Sequence, residues 1–366
     1  MTNTKNAPAK LPFRYGTVRR RINIGSYPVT LGQSIPSIVI PQVGMMARIL
    51  GSLTGTYTGA NAPLVVKYLD GFDAFINRFR VGLNNGSANI VDVSGIGLNA
   101  VNNSLSKGKL PTKAGMGLAV GAQTFTYNFA VPINANDRKQ FEIGLINLQA
   151  PELRATIDVS FNQAGTIFTT PANFTLPVFN LNLSYEYFEI PDPSVYQMPP
   201  LTLVRTIEDA PNVIAATGDQ IYQIPRLGTM FDYTETLLLN GLYAPVLANL
   251  TEWRLRYNKS DVQYDVQMPD WETYEALMYQ GSAYPGSATG LLFDNALNFN
   301  LWSASDRPWN GGDFRDAIDT EENTTTEAIT TVAATAVLGA NTNAIVHTRR
   351  LVQRIVQSPA PTHQGA

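Results

Sequence analysis

The sequence predicts an all-β chain made of two related sandwich domains in tandem. Three observations carry this. A hairpin pattern occurs twice, at Phe79-Arg80-Val81-Gly82-Leu83 and again at Trp253-Arg254-Leu255-Arg256-Tyr257. In both copies large apolar residues alternate with an arginine, a polar turn follows (Asn84-Asn85-Gly86-Ser87, Asn258-Lys259-Ser260), and a second strand reaches Asp92-Val93 or Asp265-Val266. Second, several segments alternate apolar and polar residues with the period of a half-buried strand, most cleanly Phe179 to Tyr187. Third, Asn, Thr, Pro and Gly are abundant and strong helix formers sparse, a balance that favours strands joined by turn-rich loops.

Taken in order, residues 1–30 read as a basic arm with little periodic structure, and 31–190 as the first domain. Within it, Ser34–Pro41 suits a short strand, and Met45–Thr58 a second one, with Gly51 and Gly55 marking a bend or bulge. The first hairpin follows, then a helix-like segment over 95–104 and a Gly-rich loop over 107–123. Phe125, Tyr127, Phe129 and Val131 alternate with polar or small residues and end at Pro132. Strands are also expected at Phe141–Leu148, at Ile157, Val159 and Phe161, and at Phe179–Tyr187. About eight strands with long connections suit a Greek-key sandwich.

The run 191–200 holds four prolines, which fix φ and cannot donate to a sheet, so it reads as a stiff linker. The second domain, 201–356, repeats the plan. Its strands are expected at Leu201–Glu208, Gln220–Ile224, Phe231–Leu239, the second hairpin, Val262–Met268, Leu291–Phe299, Ala328–Leu338 and Ala344–Val356. Pro269-Asp270 opens a helix with Trp271, Tyr274 and Met278 on one face; 307–326 reads as a long acidic loop and 357–366 as a tail.

Composition excludes much chemistry. The chain has no cysteine, so disulfides, thiolate metal sites and cysteine nucleophiles are ruled out. The polar N-terminus lacks the apolar core of a signal peptide, and no run is long enough to span a bilayer as a helix. Of the two histidines, His347 falls mid-strand and His363 in the tail, too few for a zinc site. No nucleophile elbow, phosphate loop or dinucleotide fingerprint occurs. The acidic residues Asp313, Asp316, Asp319, Glu321 and Glu322 match no calcium-loop spacing and read as a solvated loop. No catalytic, cofactor or metal residue is assigned. Net charge is only −3, yet the first acidic residue is Asp70. Before it lie Lys5, Lys10, Arg14, Arg19, Arg20, Arg21, Arg48 and Lys67, which suggests an anionic neighbour, either nucleic acid or a membrane surface.

Several stretches carry a likeness. They are Asp70-Gly71-Phe72 through Arg78 to Val81 with the polar hairpin, Asn102-Asn103 to Lys107-Gly108, and Ala130-Val131-Pro132-Ile133 with Asp137. Leu148-Gln149-Ala150-Pro151 leading to Phe161, and Ser184-Tyr185-Glu186-Tyr187 before the linker, extend it. Together with the tandem plan these resemble the double jelly-roll major capsid proteins of tailless icosahedral viruses, most closely the tectivirus type, over roughly residues 30–356. The resemblance implies two tandem eight-stranded jelly rolls with short helical insertions, and no enzymatic role. It implies a homotrimer whose six sandwiches make a nearly hexagonal tile of an icosahedral capsid around an internal membrane, as in a bacteriophage. Partners would be neighbouring copies and minor capsid, vertex or spike proteins, in the virion and, during assembly, in the host cytoplasm. Lys5, Lys10, Arg14, Arg19, Arg20 and Arg21 would then form an interior-facing basic arm toward anionic lipids or nucleic acid. The alternatives are a carbohydrate-binding or carbohydrate-cleaving double sandwich, with the aromatic residues near 271–279 as a sugar platform, and a trimeric receptor-binding spike.

Overall fold

The computed structural model describes residues 9–59, 72–84, 86–106, 121–134, 142–168, 172, 174–199, 201, 203–271, 273, 296–299 and 317–354. The first half contains β1 (Arg19–Pro28), β2 (Ile38–Val39), β3 (Met45–Gly59), β4 (Ile76–Leu83), β5 (Ala88–Val93), β6 (Gly121–Pro132), β7 (Ile146–Asn147), β8 (Ala155–Phe161) and β9 (Phe174–Phe188). It also holds helices α1 (Phe72–Phe75), α2 (Gly95–Ser106) and α3 (Ala164–Ile167). The second half contains β10 (Leu203–Val213), β11 (Gly218–Ile224), β12 (Thr229–Leu239), β13 (Leu242–Tyr243), helix α4 (Val246–Asn249), β14 (Leu250–Tyr257) and β15 (Asp261–Gln267). It closes with β16 (Ala296–Phe299), β17 (Ile318–Asp319), β18 (Thr326–Val332) and β19 (Ala344–Arg354).

Both halves wind these strands in the same order. In the first, one sheet runs β1-β9-β3-β6 and the facing sheet β2-β8-β4-β5. In the second, β10-β19-β12-β16 faces β11-β18-β14-β15. With β7, β13 and β17 set aside and the equally short β2 kept, because it occupies a sheet position of its own, each half has eight strands among the described residues. Each orders them first-eighth-third-sixth in one sheet and second-seventh-fourth-fifth in the other. That is a jelly roll, present twice.

The duplication extends to register. Phe79 pairs with Val93 and Arg80 with Asp92; Trp253 pairs with Val266 and Arg254 with Asp265. Each hairpin carries its β-bulge at the equivalent place, between Val81 and Gly82 and between Leu255 and Arg256. β3 and β12 likewise share a bulge, between Met46 and Arg48 and between Met230 and Asp232. The hairpin turns use left-handed residues, Asn84 (φ 52°) and Gly86 (φ 83°) in one, Asn258 (φ 49°) and Lys259 (φ 65°) in the other. Such turns match the twist of the flanking strands.

Each sandwich has its own aromatic core. In the first, Phe75 stacks on Phe125 at 5.6 Å and Phe79 meets Phe129 edge-on at 5.7 Å. In the second, Trp253 packs on Trp271 at 5.8 Å and on Phe299 at 4.9 Å. The glycines of β3 serve the first core directly. A Cβ on Gly51 would lie 2.1 Å from the Phe129 ring, and one on Gly55 would lie 2.7 Å from the Phe125 ring. They are therefore sockets for aromatic rings on β6, not the bend or bulge expected from sequence; the bulges of β3 fall at Met46/Arg48 and Thr56/Thr58.

Other boundaries shift. Arg19–Pro28, read as the end of an unstructured arm, is a ten-residue strand paired along β9 from Arg19↔Phe188 to Pro28↔Asn180. It is an edge strand, and edge strands tolerate charge. The expected strand at 141–148 shrinks to Ile146–Asn147, because Gly144 (φ 83°) turns the chain just before it. The strand expected over 34–41 is only Ile38–Val39 plus an isolated bridge from Ser34 to Ser160. β6 begins at Gly121, inside the stretch read as loop, and the rest of that loop lies outside the described residues. The proline-rich run is tied down: Leu11 N–H donates to Val195 O at 3.0 Å and Gln197 N–H to Leu11 O at 2.7 Å. β17 and the start of β18 replace part of the 307–326 loop, whose residues up to 316 lie outside the described set, as do Tyr274, Met278 and the tail.

The duplicated positions should be energetically matched. Phe79→Ala and Trp253→Ala each empty the centre of a packed core and should each cost about 3–5 kcal/mol. Urea denaturation of the two variants measures this.

Candidate functional site

The two sandwiches are not beads on a string. β5 of the first pairs in parallel with β10 of the second, Val91 opposite Ile207 and Asp92 opposite Glu208. One sheet therefore runs β2-β8-β4-β5 and straight on into β10-β19-β12. Ile207 and Val204 of β10 belong to the first core, whereas Tyr233 and Leu237 of β12 and Leu351 of β19 belong to the second.

A polar seam fixes this junction. Arg78 on β4 donates from Nε to Asp92 Oδ1 at 2.5 Å and from Nη1 to Asp209 Oδ1 at 2.6 Å. Asp209, on β10, also accepts from the Ser94 amide at 2.8 Å and from the Ser94 hydroxyl. Its side chain is 1% exposed, so this buried carboxylate depends on those donors. Gly97 in the first turn of α2 passes so close that a Cβ would lie 2.4 Å from Asp209 Oδ2.

Helix α2 continues the seam across both halves. Asn102 Oδ1 accepts from the Ala130 amide at 2.7 Å, and Asn99 donates to Asp73 at 3.2 Å, both in the first half. Asp73 also accepts from the Tyr243 hydroxyl, and Ser104 donates to Asp232 at 3.0 Å, both in the second. Arg350 ion-pairs with Asp232 and donates to Ser104 at 2.8 Å. Arg205, also fully buried, donates from Nη1 to the Asn134 carbonyl at 2.5 Å, and its guanidinium sits 5.2 Å over the Phe231 ring. Burial pushes Arg205 down to about 9, and the charge of Arg48 adds to the effect.

A second buried polar group lies inside the second sandwich. Glu235 accepts from Tyr233 at 2.8 Å, from Trp253 Nε1 at 3.0 Å and from the Thr330 hydroxyl. His347 Nδ1 lies 2.5 Å from the Tyr233 hydroxyl and 3.5 Å from Glu235, and its ring stacks on Tyr222 at 3.9 Å. His347 lies mid-strand in β19, as the sequence suggested; its Nδ1 is partnered, and Nε2 has no hydrogen-bond partner among the described residues. Glu235 and His347 are 2% and 1% exposed, which closes them to any substrate. Burial alone would raise the Glu235 carboxyl, but the bonds and charge from His347, with those from Thr330 and Trp253, bring it below its usual range.

Of the basic residues singled out from sequence, Arg19 and Arg48 share Glu186, each 3.9 Å from its Oε2, and the other described ones take separate partners. Lys5 lies outside the described residues. Lys10 Nζ donates to Pro193 O at 2.5 Å, and the Arg14 guanidinium sits 5.6 Å from the Tyr15 ring centre. Arg19, Arg20 and Arg21 belong to β1, so they do not project on an arm: Arg19 lies 3.9 Å from Glu186, Arg20 pairs with Glu189, and Arg21 donates to Ser184 at 2.9 Å. Trp271 is fully buried against Trp253, so it forms core and not a sugar platform. Among the described residues no three His, Asp or Glu side chains group to hold a metal. The interdomain seam was not legible in advance, because Arg78, Asp92 and Asp209 look like ordinary strand charges until β5 meets β10.

Two outcomes test these buried groups. Gly97→Ala should destabilise the protein by about 1–3 kcal/mol in urea, because the new methyl must displace backbone or the Asp209 carboxylate. Glu235→Gln should cost about 3–5 kcal/mol at neutral pH by leaving its partners uncompensated. A depressed native pKa contributes stability above the ordinary glutamate range and loses it as pH falls through the native value. The gap between wild type and variant should therefore narrow on acidification, read from urea midpoints at successive pH values.

Neither a protein-family model nor a curated protein matches the sequence. Solved structures do match in fold. The crystal structure of the STIV MCP aligns at TM-score 0.65 and 15% identity, covering 92% of this chain and 96% of that one. The PBCV-1 virus capsid structure aligns at 0.61 and 10% identity, covering 96% of each chain. The major capsid protein P2 of bacteriophage PM2 aligns at 0.51 and 12% identity, covering 93% of this chain and 99% of that one. The shared architecture spans nearly the whole of each chain, and with the strand order above it establishes that this protein has the double jelly-roll fold.

Proposed function

We propose that the chain is a viral major capsid protein, a structural subunit whose activity is to assemble. The observation that carries this is the pair of jelly rolls of identical strand order, fused edge to edge by one sheet and pinned by buried charge, a plan matched end to end in solved capsid chains. A double sandwich suits a building block, because strands hold the frame while the loops between them are free to vary and make contacts. The buried polar groups support the same reading: Glu235, His347, Asp209 and Arg205 are spent on internal bonds that fix geometry, not on groups presented to a ligand.

In the full proposal three copies close into a ring of six sandwiches, a nearly hexagonal tile of an icosahedral shell, through heterologous contacts closed by rotation. The tectivirus-type arrangement places an internal membrane beneath that shell. The segment before β1, with Lys5, Lys10 and Arg14, faces the interior, where anionic headgroups or genome phosphates balance its charge. Outward contacts go to neighbouring tiles and to minor capsid, vertex or spike proteins. The site of action is the virion, with the host cytoplasm as the place of assembly.

Size-exclusion chromatography with light scattering tests this on the full chain. The expected mass is near three 40.0 kDa protomers, about 120 kDa, persisting on dilution. A clean monomer across the concentration range would overturn the reading.

A further inference from the structure

The register of the duplication identifies where two copies should join. Within one chain the outer edge of the first sandwich, β5, is covered by β10 of the second. The equivalent edge of the second sandwich is β15, and no strand lies beyond it among the described residues. Likewise β10 has its equivalent in β1, which pairs only with β9 among the described strands. Exposure follows the same logic. Val91 and Ile207, which face each other at the covered junction, are each 1% exposed, whereas every residue of β1 and β15 is at least partly exposed.

The shared bulges allow the equivalence to be read residue by residue. Val91 corresponds to Tyr264 and Asp92 to Asp265, through their pairings with Val81/Leu255 and Arg80/Arg254. Ile207 corresponds to Arg21, because they pair with Arg350 and Glu186, which in turn pair with Asp232 and Arg48 just past the shared bulge. Carrying the Val91↔Ile207 pairing over sets Tyr264 of one copy opposite Arg21 of the next. The charges then match. Arg19-Arg20-Arg21 falls beside 262–264, flanked by Asp261 and Asp265, and β15 contains no basic residue.

We infer that β15 of one copy pairs in parallel with β1 of the next, repeating between chains the β5–β10 junction made within each chain. The partner is a second copy of this protein, and the Arg19–Arg21 run is a subunit contact. Closing that contact three times gives a ring of six sandwiches, so the inference rests on the trimer proposed above and names its seam.

Engineered cysteines test it cleanly, because the native chain has none. The full-length double variant Arg21→Cys/Tyr264→Cys should form covalent trimers on a non-reducing gel after mild oxidation. The control Ser26→Cys/Tyr264→Cys should not, since five strand residues separate the groups by roughly 17 Å, well beyond disulfide reach. A charge exchange guards against failure of the Tyr264 variant to fold. Arg20→Glu/Arg21→Glu and Asp261→Lys/Asp265→Lys should each lower the trimer fraction at least tenfold at micromolar protein, and combining all four should restore it. A wild-type trimer that neither cross-links at 21/264 nor responds to either charge set would overturn the β15–β1 seam while leaving the trimer standing. A wild-type monomer would overturn the trimer itself.

Discussion

The structure depends on one short contact, the parallel pairing of β5 with β10. Only two residue pairs make it, Val91↔Ile207 and Asp92↔Glu208. So brief a ladder could not orient two domains by backbone hydrogen bonds alone. It is reinforced on both sides. Ile207 and Val204 are buried in the first core, and Asp209 is held by Arg78 and Ser94 across the seam. An unpaired buried carboxylate is costly, so any slip of β10 along β5 exacts the desolvation of Asp209 without its donors. Helix α2 then acts as a strut, bonded to Asp73 and Ala130 on one side and to Asp232 on the other.

Much of this frame was legible in the sequence, for a physical reason. The hairpins at Phe79 and Trp253 must bury the same face against the same kind of core, so their alternation, turn and even their bulges were kept in register. Long alternating strands such as β6 and β9 were equally plain. Edges were not. β1 carries three consecutive arginines and Gly25, and nothing local distinguishes it from an arm; its partner β9 is distant, with Arg21 and Ser184 separated by 163 positions. The strand-forming information there is non-local, and pattern reading sees only local periodicity. The glycines of β3 misled for a related reason, since the Phe129 and Phe125 rings that fill their sockets come from another strand.

The site was less legible than the fold. Charged residues were read by type, and type alone directed attention to the N-terminal basic run. The structure instead buries Arg205 and Arg350 and half-buries Arg78, and each of them joins halves of the chain far apart in sequence. Arg205 shows what such a placement demands: with one carbonyl acceptor and an aromatic face for company, the guanidinium holds its proton less tightly than in water.

The closure of β1 on β9 also sets a timetable. As the chain leaves the ribosome, β1 emerges well before residues 174–188 and must wait for them before it has a strand to pair with. β5 waits longer still, until β10 emerges. For that interval the first half displays open strand edges, one of them rich in arginine, and charge at an edge discourages the sideways pairing of nascent chains. While β1 waits for β9, its basic run works against the sideways pairing of neighbouring half-made chains through that open edge.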